Sequence, residues 1–249
     1  MRGDGKVGWL ARLVALVLEP LLLLATRRRW RGLEHIPKTG GSIVAANHNS
    51  YVDPLALMHF VYRAGRWPHF LSKAELFRIP VFGRAIRALG QIPVHRGTAN
   101  ASDALRDARA AIERGECVVI YPEGTVTRDP DYWPMVGRTG AVRLALETGA
   151  PVIPVAQWGA QEVLGHDGRL RPLPRRTVSV VAGPPVDLSA YDGDALTGEL
   201  LREATDEVMN TVRRQLGEIR GERPPTVFFD PMAALGAGAP AQDPDRRPA

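Results

Sequence analysis

“VAANHNSYVDP”, residues 44–54, joins a short apolar run to a polar turn and then to a signal for a helix start. The apolar part is typical of a strand that is buried on both faces of a sheet. Aspartate at the N-cap, followed by proline in the first turn, favours a helix that begins near Asp53. The stretch therefore predicts a strand that turns directly into a helix, with Asn47 and His48 at the turn.

Other short apolar runs have the same form, and glycine, proline or polar residues bound each of them. Together with the first run they predict strands over residues 42–46, 69–72, 91–94, 117–121, 152–156 and 177–182. Helical patterns predict helices over residues 54–63, 100–114, 138–147 and 196–219. Strands that alternate with helices indicate an α/β fold, in which helices flank a mostly parallel central sheet.

The turn itself leaves one residue without a structural explanation. A role as a helix cap accounts for Asp53, but it does not account for the histidine at position 48. Alternatively, the turn folds the Asp53 carboxylate back onto the imidazole of His48. Such a carboxylate fixes the tautomer of the ring and stabilises the imidazolium when the histidine takes up a proton. Spacing alone leaves both interpretations open.

Polar side chains also follow two other predicted strands. Arg96 lies just beyond the third strand, and Glu123 lies just beyond the fourth. The carboxyl ends of parallel strands are where sites form in open α/β sheets, so these side chains are expected to lie near His48. Each has a bland alternative, because Arg96 suits an exposed surface and Glu123 suits an ordinary turn. Their coincidence at successive strand ends favours a site.

The positive charge of the chain is concentrated at its N-terminus. Residues 1–31 carry a net charge of +5, which equals the formal net charge of all 249 residues. The remainder is therefore neutral overall. A nucleic-acid-binding domain is expected to spread basic charge over its folded face, so this distribution argues against a nucleic-acid partner.

An apolar run, WLARLVALVLEPLLLLA, occupies residues 9–25 of this basic segment. As one helix it would span about 26 Å, less than the ~30 Å hydrocarbon core of a bilayer. Arg12 and Glu19 interrupt it, and Pro20 is expected to break it. The pattern predicts two short helices hinged at Pro20, a hairpin lying in the membrane interface with residues 27–31 at the headgroups. A core helix of a soluble domain is the alternative.

Four blocks of this sequence resemble motifs of the glycerolipid acyltransferase family, which is typified by 1-acylglycerol-3-phosphate O-acyltransferase. In order, they are NHNSYVD (residues 47–53) for N-H-x-x-x-x-D, GQIPVHR (90–96) for the block ending in a substrate-binding arginine, YPEGT (121–125) for F-P-E-G-T, and VIPV (152–155). The segment LSKAELFRIPVFG, residues 71–83, is also similar to the family's linking segment. The resemblance covers roughly residues 30–185.

The resemblance implies a role for each matched residue. His48 would be the general base and Asp53 its orienting partner. The implied substrate-binding residues are Lys73, Arg96, Glu123, Gly124, Thr125, Arg128 and Arg138. Relatives commonly have an arginine after E-G-T, where this chain has Val126. Arg128 could substitute for it, and Arg138 matches a basic position before Gly-Ala. Backbone N–H groups of residues 123–125 are candidate donors to a reaction oxyanion.

The implied reaction moves a fatty acyl group from a thioester, acyl-CoA or acyl-acyl-carrier-protein, to the hydroxyl of lysophosphatidic acid in phospholipid biosynthesis. It needs no metal or other cofactor. The expected partners are the lysophospholipid acceptor, the thioester donor and the membrane lipid surface, and the expected location is the cytoplasmic face of a membrane. Glycerol 3-phosphate, another lysophospholipid or a glycolipid is the alternative acceptor.

Two hypotheses come from other classes of protein. A metal-dependent hydrolase would use His48, Asp53 and Glu123 as ligands. A non-catalytic lipid-binding module would not need the histidine and the aspartate together.

The same patterns divide the chain into three parts. Residues 1–31 form the membrane-associating segment, residues 32–221 form the acyltransferase domain, and residues 222–249 form a tail rich in proline, glycine and alanine that is predicted to be poorly ordered. The single cysteine, Cys117, lies in an apolar run and is predicted to be a buried, inert thiol.

Overall fold

The computed structural model describes residues 8–94, 101–193 and 195–236. Within these residues the strands are β1 (Thr26–Arg31), β2 (Ser42–Ala46), β3 (Pro68–Lys73), β4 (Ile92–Val94), β5 (Cys117–Ile120), β6 (Val152–Trp158) and β7 (Arg176–Ala182). The α-helices are α1 (Trp9–Ala25), α2 (Asp53–Arg63), α3 (Phe82–Ala88), α4 (Ala101–Glu113), α5 (Gly140–Thr148), α6 (Ala160–Val163), α7 (Gly198–Arg220) and α8 (Pro231–Gly236). Short 3-10 helices span Leu33–His35, Ala74–Arg78 and Ser189–Tyr191.

The strands form one sheet in the order β1-β7-β6-β2-β5-β3-β4. All neighbouring pairs are parallel except β6 and β7, which are antiparallel. The predicted α/β fold with a mostly parallel sheet is therefore confirmed. β2 is the middle strand, and its five residues are all buried. The first predicted strand thus forms the centre of the sheet.

Helices cover both faces of the sheet, which explains why four of the five residues of β2 are apolar. Successive side chains of a strand point to opposite faces. Ile43 and Ala45 accordingly pack in a core with α4, α5 and α7. Val44 and Ala46 pack in a second core with α2 and β7. Each face of the strand therefore needs apolar side chains, and the alternation seen in half-exposed strands is absent from β2.

β1 was not predicted by the sequence. Its sequence, TRRRWR, was assigned to the membrane-associating segment, but Thr26–Arg31 pairs with β7 at the edge of the sheet. The three consecutive arginines at 27–29 are exposed. Charged side chains are common on edge strands, where they oppose pairing with another chain. The apolar pattern that marks a buried strand is missing for this reason.

The predicted hairpin at the N-terminus was wrong, because α1 is one continuous helix that passes through Pro20. Pro20 lies on the exposed side of the helix, and Thr26 caps the C-terminal end by donating from its hydroxyl to the carbonyl of Leu22 (2.7 Å). Glu19 points toward α2, where its carboxylate is 3.1 Å from His59 Nε2. Among the described helices, none combines the length and the apolar character needed to cross a membrane.

Part of the predicted tail packs on the folded domain. The Val136 N–H donates to the carbonyl of Phe229 (3.0 Å), and the Arg213 guanidinium lies 4.1 Å from the centre of the Phe228 ring. Residues 237–249 lie outside the described residues. Cys117 is buried in β5 and unpaired, which confirms that the thiol is buried.

Candidate active site

Asn47 fixes the backbone at the point where β2 ends. Its side chain donates to the Gln157 carbonyl (3.0 Å) and accepts from the Gln157 N–H (2.8 Å). The Gln157 amide group in turn donates to the Asn47 carbonyl (2.7 Å). Both side chains are fully buried. These bonds extend the pairing of β2 with β6 beyond the strand, so the next residue, His48, leaves the sheet in a defined direction.

The contact between His48 and Asp53 that the spacing suggested is present. His48 Nδ1 lies 3.0 Å from Asp53 Oδ2. The same oxygen accepts the backbone N–H groups of Asn49 and Ser50, the latter at 2.7 Å. Asp53 is fully buried, whereas His48 keeps 9% of its surface exposed. With Nδ1 facing a carboxylate, the neutral imidazole keeps its proton on that nitrogen and presents the Nε2 lone pair.

Asp53 is therefore not the N-cap that the first interpretation required. Val52 occupies the N-cap position of α2, and Asp53 is the first residue of the helix. Its carboxylate binds amides that precede it in the chain, whereas a capping side chain binds amides of the first helical turn. The carboxylate thus closes the 48–53 turn and holds the histidine ring.

The aromatic ring of Tyr121 packs against His48. Its ring stacks on His48 with centroids 4.1 Å apart and an angle of 15° between the planes. Burial raises the pKa of Tyr121 well above its usual value, so the phenol stays neutral. Gln157 Nε2 lies 3.5 Å from the hydroxyl. The stack fixes the plane of the imidazole ring.

Glu123 connects the histidine to a neighbouring loop. Its carboxylate accepts the His48 N–H (2.8 Å) on one oxygen and the Met135 N–H (3.0 Å) on the other. The Thr127 N–H donates to the His48 carbonyl (2.7 Å). Glu123 is buried, and burial raises its pKa to about 8. Both carboxylate oxygens thus accept backbone N–H groups, and the substrate-binding role that the resemblance implies for Glu123 stays a prediction.

Arg138 lies over the turn that follows β5. Gly124 has a φ of +74°, and a Cβ there would come within 2.9 Å of Arg138 Nε. Glycine thus allows the guanidinium to approach the strand end. The Arg138 N–H donates to the Pro122 carbonyl (2.8 Å), and the side chain is exposed. The Gly124 N–H donates to the Tyr121 carbonyl (2.9 Å). Because this amide already has an acceptor, it is no longer a candidate donor to the reaction oxyanion.

The remaining predicted residues occupy varied positions. Lys73 is the last residue of β3 and is half-buried, and Thr125 is half-buried in the turn after β5. Arg128 is exposed, and its N–H contacts the sulfur of Met135 (3.1 Å). Val126, at the position where relatives have arginine, is buried. Arg96 lies outside the described residues.

The ligand set of the hydrolase hypothesis is not assembled. Glu123 is turned toward two backbone N–H groups, and Asp53 Oδ2 is shared by His48 and two further amides. Among the described residues, no three histidine, cysteine or acidic side chains are placed to hold a metal ion. The geometry at the strand end instead suits proton transfer at His48.

Sequence reasoning missed Gln157 and gave Tyr121 no role of its own. A glutamine inside the otherwise apolar strand β6 was the available signal, because a buried amide needs partners for all its polar groups. No local pattern indicated that Tyr121 would stack on His48. The two residues come together only because β5 and β6 both pair with β2.

Together the fold and the site define an α/β protein in which a buried carboxylate orients a histidine at the end of the central strand. The chain belongs to the Acyltransferase family, whose model matches residues 27–158, from β1 to the end of β6. This confirms the resemblance to the glycerolipid acyltransferases that the motifs indicated.

Several relatives are named 1-acyl-sn-glycerol-3-phosphate acyltransferase. The chloroplastic 1-acyl-sn-glycerol-3-phosphate acyltransferase BAT2 of Brassica napus is 30% identical over 186 residues, which cover 73% of this chain and 51% of the relative. The 1-acyl-sn-glycerol-3-phosphate acyltransferase of Borreliella burgdorferi is 27% identical over 191 residues, covering 73% of this chain and 71% of the relative. The chain thus spans about half the length of the plant relative.

A solved structure agrees with the family. The crystal structure of PlsC from Thermotoga maritima, a 1-acyl-sn-glycerophosphate acyltransferase, superposes with a TM-score of 0.61 at 26% sequence identity. The match covers 84% of this chain and 82% of that chain. The similarity therefore extends over more than four-fifths of both chains.

The buried carboxyl of Glu123 predicts how stability depends on pH. Its pKa rises from 4.5 to about 8 on folding, so the folded state holds a proton that the unfolded state releases in this window. The free energy of unfolding is then expected to fall as pH rises between these values, by up to about 1.4 kcal/mol per pH unit for one proton. Urea unfolding at several pH values checks this.

The control is Glu123→Gln, which has no proton to release. Its stability is expected to lack this pH-dependent loss, so the difference between the two proteins should shrink or reverse as pH rises. Parallel curves for the wild type and the variant would contradict the raised pKa.

Proposed function

We propose that this chain transfers a fatty acyl group from a thioester donor to the hydroxyl of 1-acylglycerol 3-phosphate. The contact of His48 with Asp53 carries the proposal, because a base held in one tautomer is what an alcohol nucleophile requires. The names of the relatives and of the solved structure support this acceptor.

The proposed reaction is a direct displacement. His48 Nε2 removes the proton of the acceptor hydroxyl as its oxygen attacks the thioester carbonyl carbon. The tetrahedral intermediate then collapses, the carbon–sulfur bond breaks, and the thiolate takes the proton from the imidazolium. Asp53 stabilises the ring while it carries the extra proton, and the stack with Tyr121 fixes its plane. No acyl-enzyme is needed, and Cys117 is too deeply buried to form one.

Arg138 is the proposed partner of the acceptor phosphate. Its guanidinium lies beside Gly124, just after β5, the strand that pairs with β2. The planar guanidinium can bind two phosphate oxygens. Lys73 is the last residue of β3 and lies at the same carboxyl ends of the strands, which makes it a second candidate. Arg128 is exposed two residues beyond the buried Val126 and is a third.

Replacing Arg138 with alanine is expected to raise the KM for lysophosphatidic acid about 10- to 100-fold, since a charge-assisted hydrogen bond is lost. The kcat should change less, because the base is untouched. Initial rates across acceptor concentration measure both. Arg143→Ala on α5 is the matched control and should leave KM unchanged. An equal KM for Arg138→Ala would place the phosphate elsewhere.

Membrane association is proposed for α1. Its exposed side chains include Trp9, Leu13, Leu16, Val17, Leu21 and Leu24. The opposite side of the helix, at Ala11, Ala15 and Glu19, is buried or contacts α2. An apolar stripe with arginines at the helix end suits the interface of an anionic membrane. Because acyl-CoA and acyl-carrier-protein are cytoplasmic thioesters, the cytoplasmic face is the proposed location.

The test is acyl transfer by the purified protein. Palmitoyl-CoA is supplied with 1-acylglycerol 3-phosphate, glycerol 3-phosphate and other lysophospholipids, while free thiol is measured and products are identified by mass. A diacyl product from lysophosphatidic acid supports the proposal, and a product from another acceptor would replace it with the alternative substrate. Thiol release without an acylated product would indicate a thioesterase.

A further inference from the structure

Exposed large apolar side chains concentrate in two segments of the described chain. Ten of the sixteen are found there, six on α1 and four between residues 76 and 82. The second group, which we call the 76–82 patch, consists of Leu76, Ile79, Val81 and Phe82. Val81 is the most exposed of the four, at 76% of its surface. Such a concentration is unusual for a surface that contacts only water.

The backbone holds the 76–82 patch outward. Phe77, in the 3-10 helix Ala74–Arg78, has a buried side chain. Gly83 packs directly against the Phe77 carbonyl, so a Cβ at position 83 would not fit. Between them Val81 has a φ of +65°, which is rare for a β-branched residue. A strained conformation persists where the surroundings impose it, and such residues cluster at functional positions. The backbone conformation therefore fixes the exposed position of the 76–82 patch.

Basic residues lie within and directly after the 76–82 patch in the sequence. Arg78, Arg84 and Arg87 are exposed beside it, and Glu75 is the acidic side chain within residues 74–90. The guanidinium of Arg87 also lies over the Phe77 ring, 5.7 Å from its centre, which is a cation–π contact. Exposed apolar side chains next to basic residues complement an anionic lipid surface, since apolar burial and headgroup attraction then act together.

The topology places the 76–82 patch beside the active site. β2 and β3 both run parallel to β5, so the segment after β3 lies at the same carboxyl ends of the strands as His48. β1 runs opposite to β2, because β7 is antiparallel to β6. The C-terminal end of α1, which leads into β1, therefore reaches those strand ends too. In the strand order, β1 is the outermost strand on one side of the sheet, and β3 is the second strand from the other side.

We propose that the 76–82 patch is a second contact with an anionic membrane, across the site from α1. This rests on the proposed function only in that α1 is taken as the first contact. The membrane would then meet the protein on both sides of His48, so that an acceptor could leave the lipid surface between the two contacts. Tyr51 and Leu55, exposed at the start of α2 at the same strand ends, continue the apolar surface between them.

The experiment measures binding of the full chain to phosphatidylcholine vesicles with and without phosphatidylglycerol. The double variant Val81→Asp with Phe82→Asp is expected to bind anionic vesicles at least tenfold more weakly. The double variant Arg78→Gln with Arg84→Gln is expected to lose about fivefold per arginine on anionic vesicles, and little on neutral ones. Val227→Asp, at an equally exposed valine, is the matched control and should bind as the wild type does.

Unchanged binding by both double variants would overturn the proposal. A dimer in lipid-free solution that the aspartate variant dissociates, measured by light scattering, would instead make the patch an interface between copies. Acyl transfer to a short-chain, monomeric lysophosphatidic acid separates this test from the proposed function. The aspartate variant should keep that activity, and its loss with vesicle binding intact would assign the patch to the substrate site. Vesicle binding is interpretable even if the wild type transfers no acyl group.

Discussion

Alanine at position 48 is expected to lower acyl transfer by about 10²–10⁴-fold, the usual contribution of a positioned general base. Without the imidazole, the acceptor hydroxyl must lose its proton to water, and the departing thiolate loses its proton donor. The loss should appear in kcat more than in KM, because the substrate contacts proposed at Arg138 remain. Thiol release from palmitoyl-CoA with lysophosphatidic acid measures it.

His48→Ala is expected to fold normally. The backbone at position 48 is held by Glu123 and Thr127, and these bonds do not involve the ring. The thermal midpoint and circular dichroism of the variant therefore serve as its structural check. His35→Ala is the matched control, because His35 follows β1 at the opposite edge of the sheet and should leave the rate unchanged. Full activity in His48→Ala would move the chemistry elsewhere or favour the lipid-binding hypothesis.

The centre of the fold was predictable because its requirements are local. A strand buried on both faces favours apolar side chains on both of them, and Ser42–Ala46 and Cys117–Ile120 carry that signal in their own residues. The start of α2 was likewise marked by the Asp-Pro pair. β1 carries no such signal, because an edge strand may expose charged side chains. The direction of β7 depends on how a connection crosses the sheet, which local residues do not encode.

The active site was predictable only where its partners are close in sequence. His48 and Asp53 are five residues apart, so one turn could bring them together. The bonds of Asn47 with Gln157 join residues 110 apart, and that of His48 with Glu123 joins residues 75 apart. Such contacts follow from which strands are neighbours, and the neighbours of β2 are set by the packing of the whole sheet.

Substitution of Asp53 separates its two tasks. In Asp53→Ala the Asn49 and Ser50 N–H groups and the imidazole lose their common acceptor. Leaving a buried donor unsatisfied costs about 1–3 kcal/mol, so this variant should be clearly destabilised as well as inactive. In Asp53→Asn the amide oxygen can still accept the backbone N–H groups, and much of the stability should return.

Activity is not expected to return with it. An asparagine oxygen in the place of Oδ2 can still accept from His48 Nδ1, but the amide carries no charge to stabilise the imidazolium, so the rate of Asp53→Asn should stay about 10²–10⁴-fold below the wild type. Unfolding in urea and acyl transfer, measured on both variants, give the two readouts. If Asp53→Asn recovered activity in step with stability, the carboxylate would act only by closing the 48–53 turn. A stable but inactive Asp53→Asn would establish that its charge acts through His48.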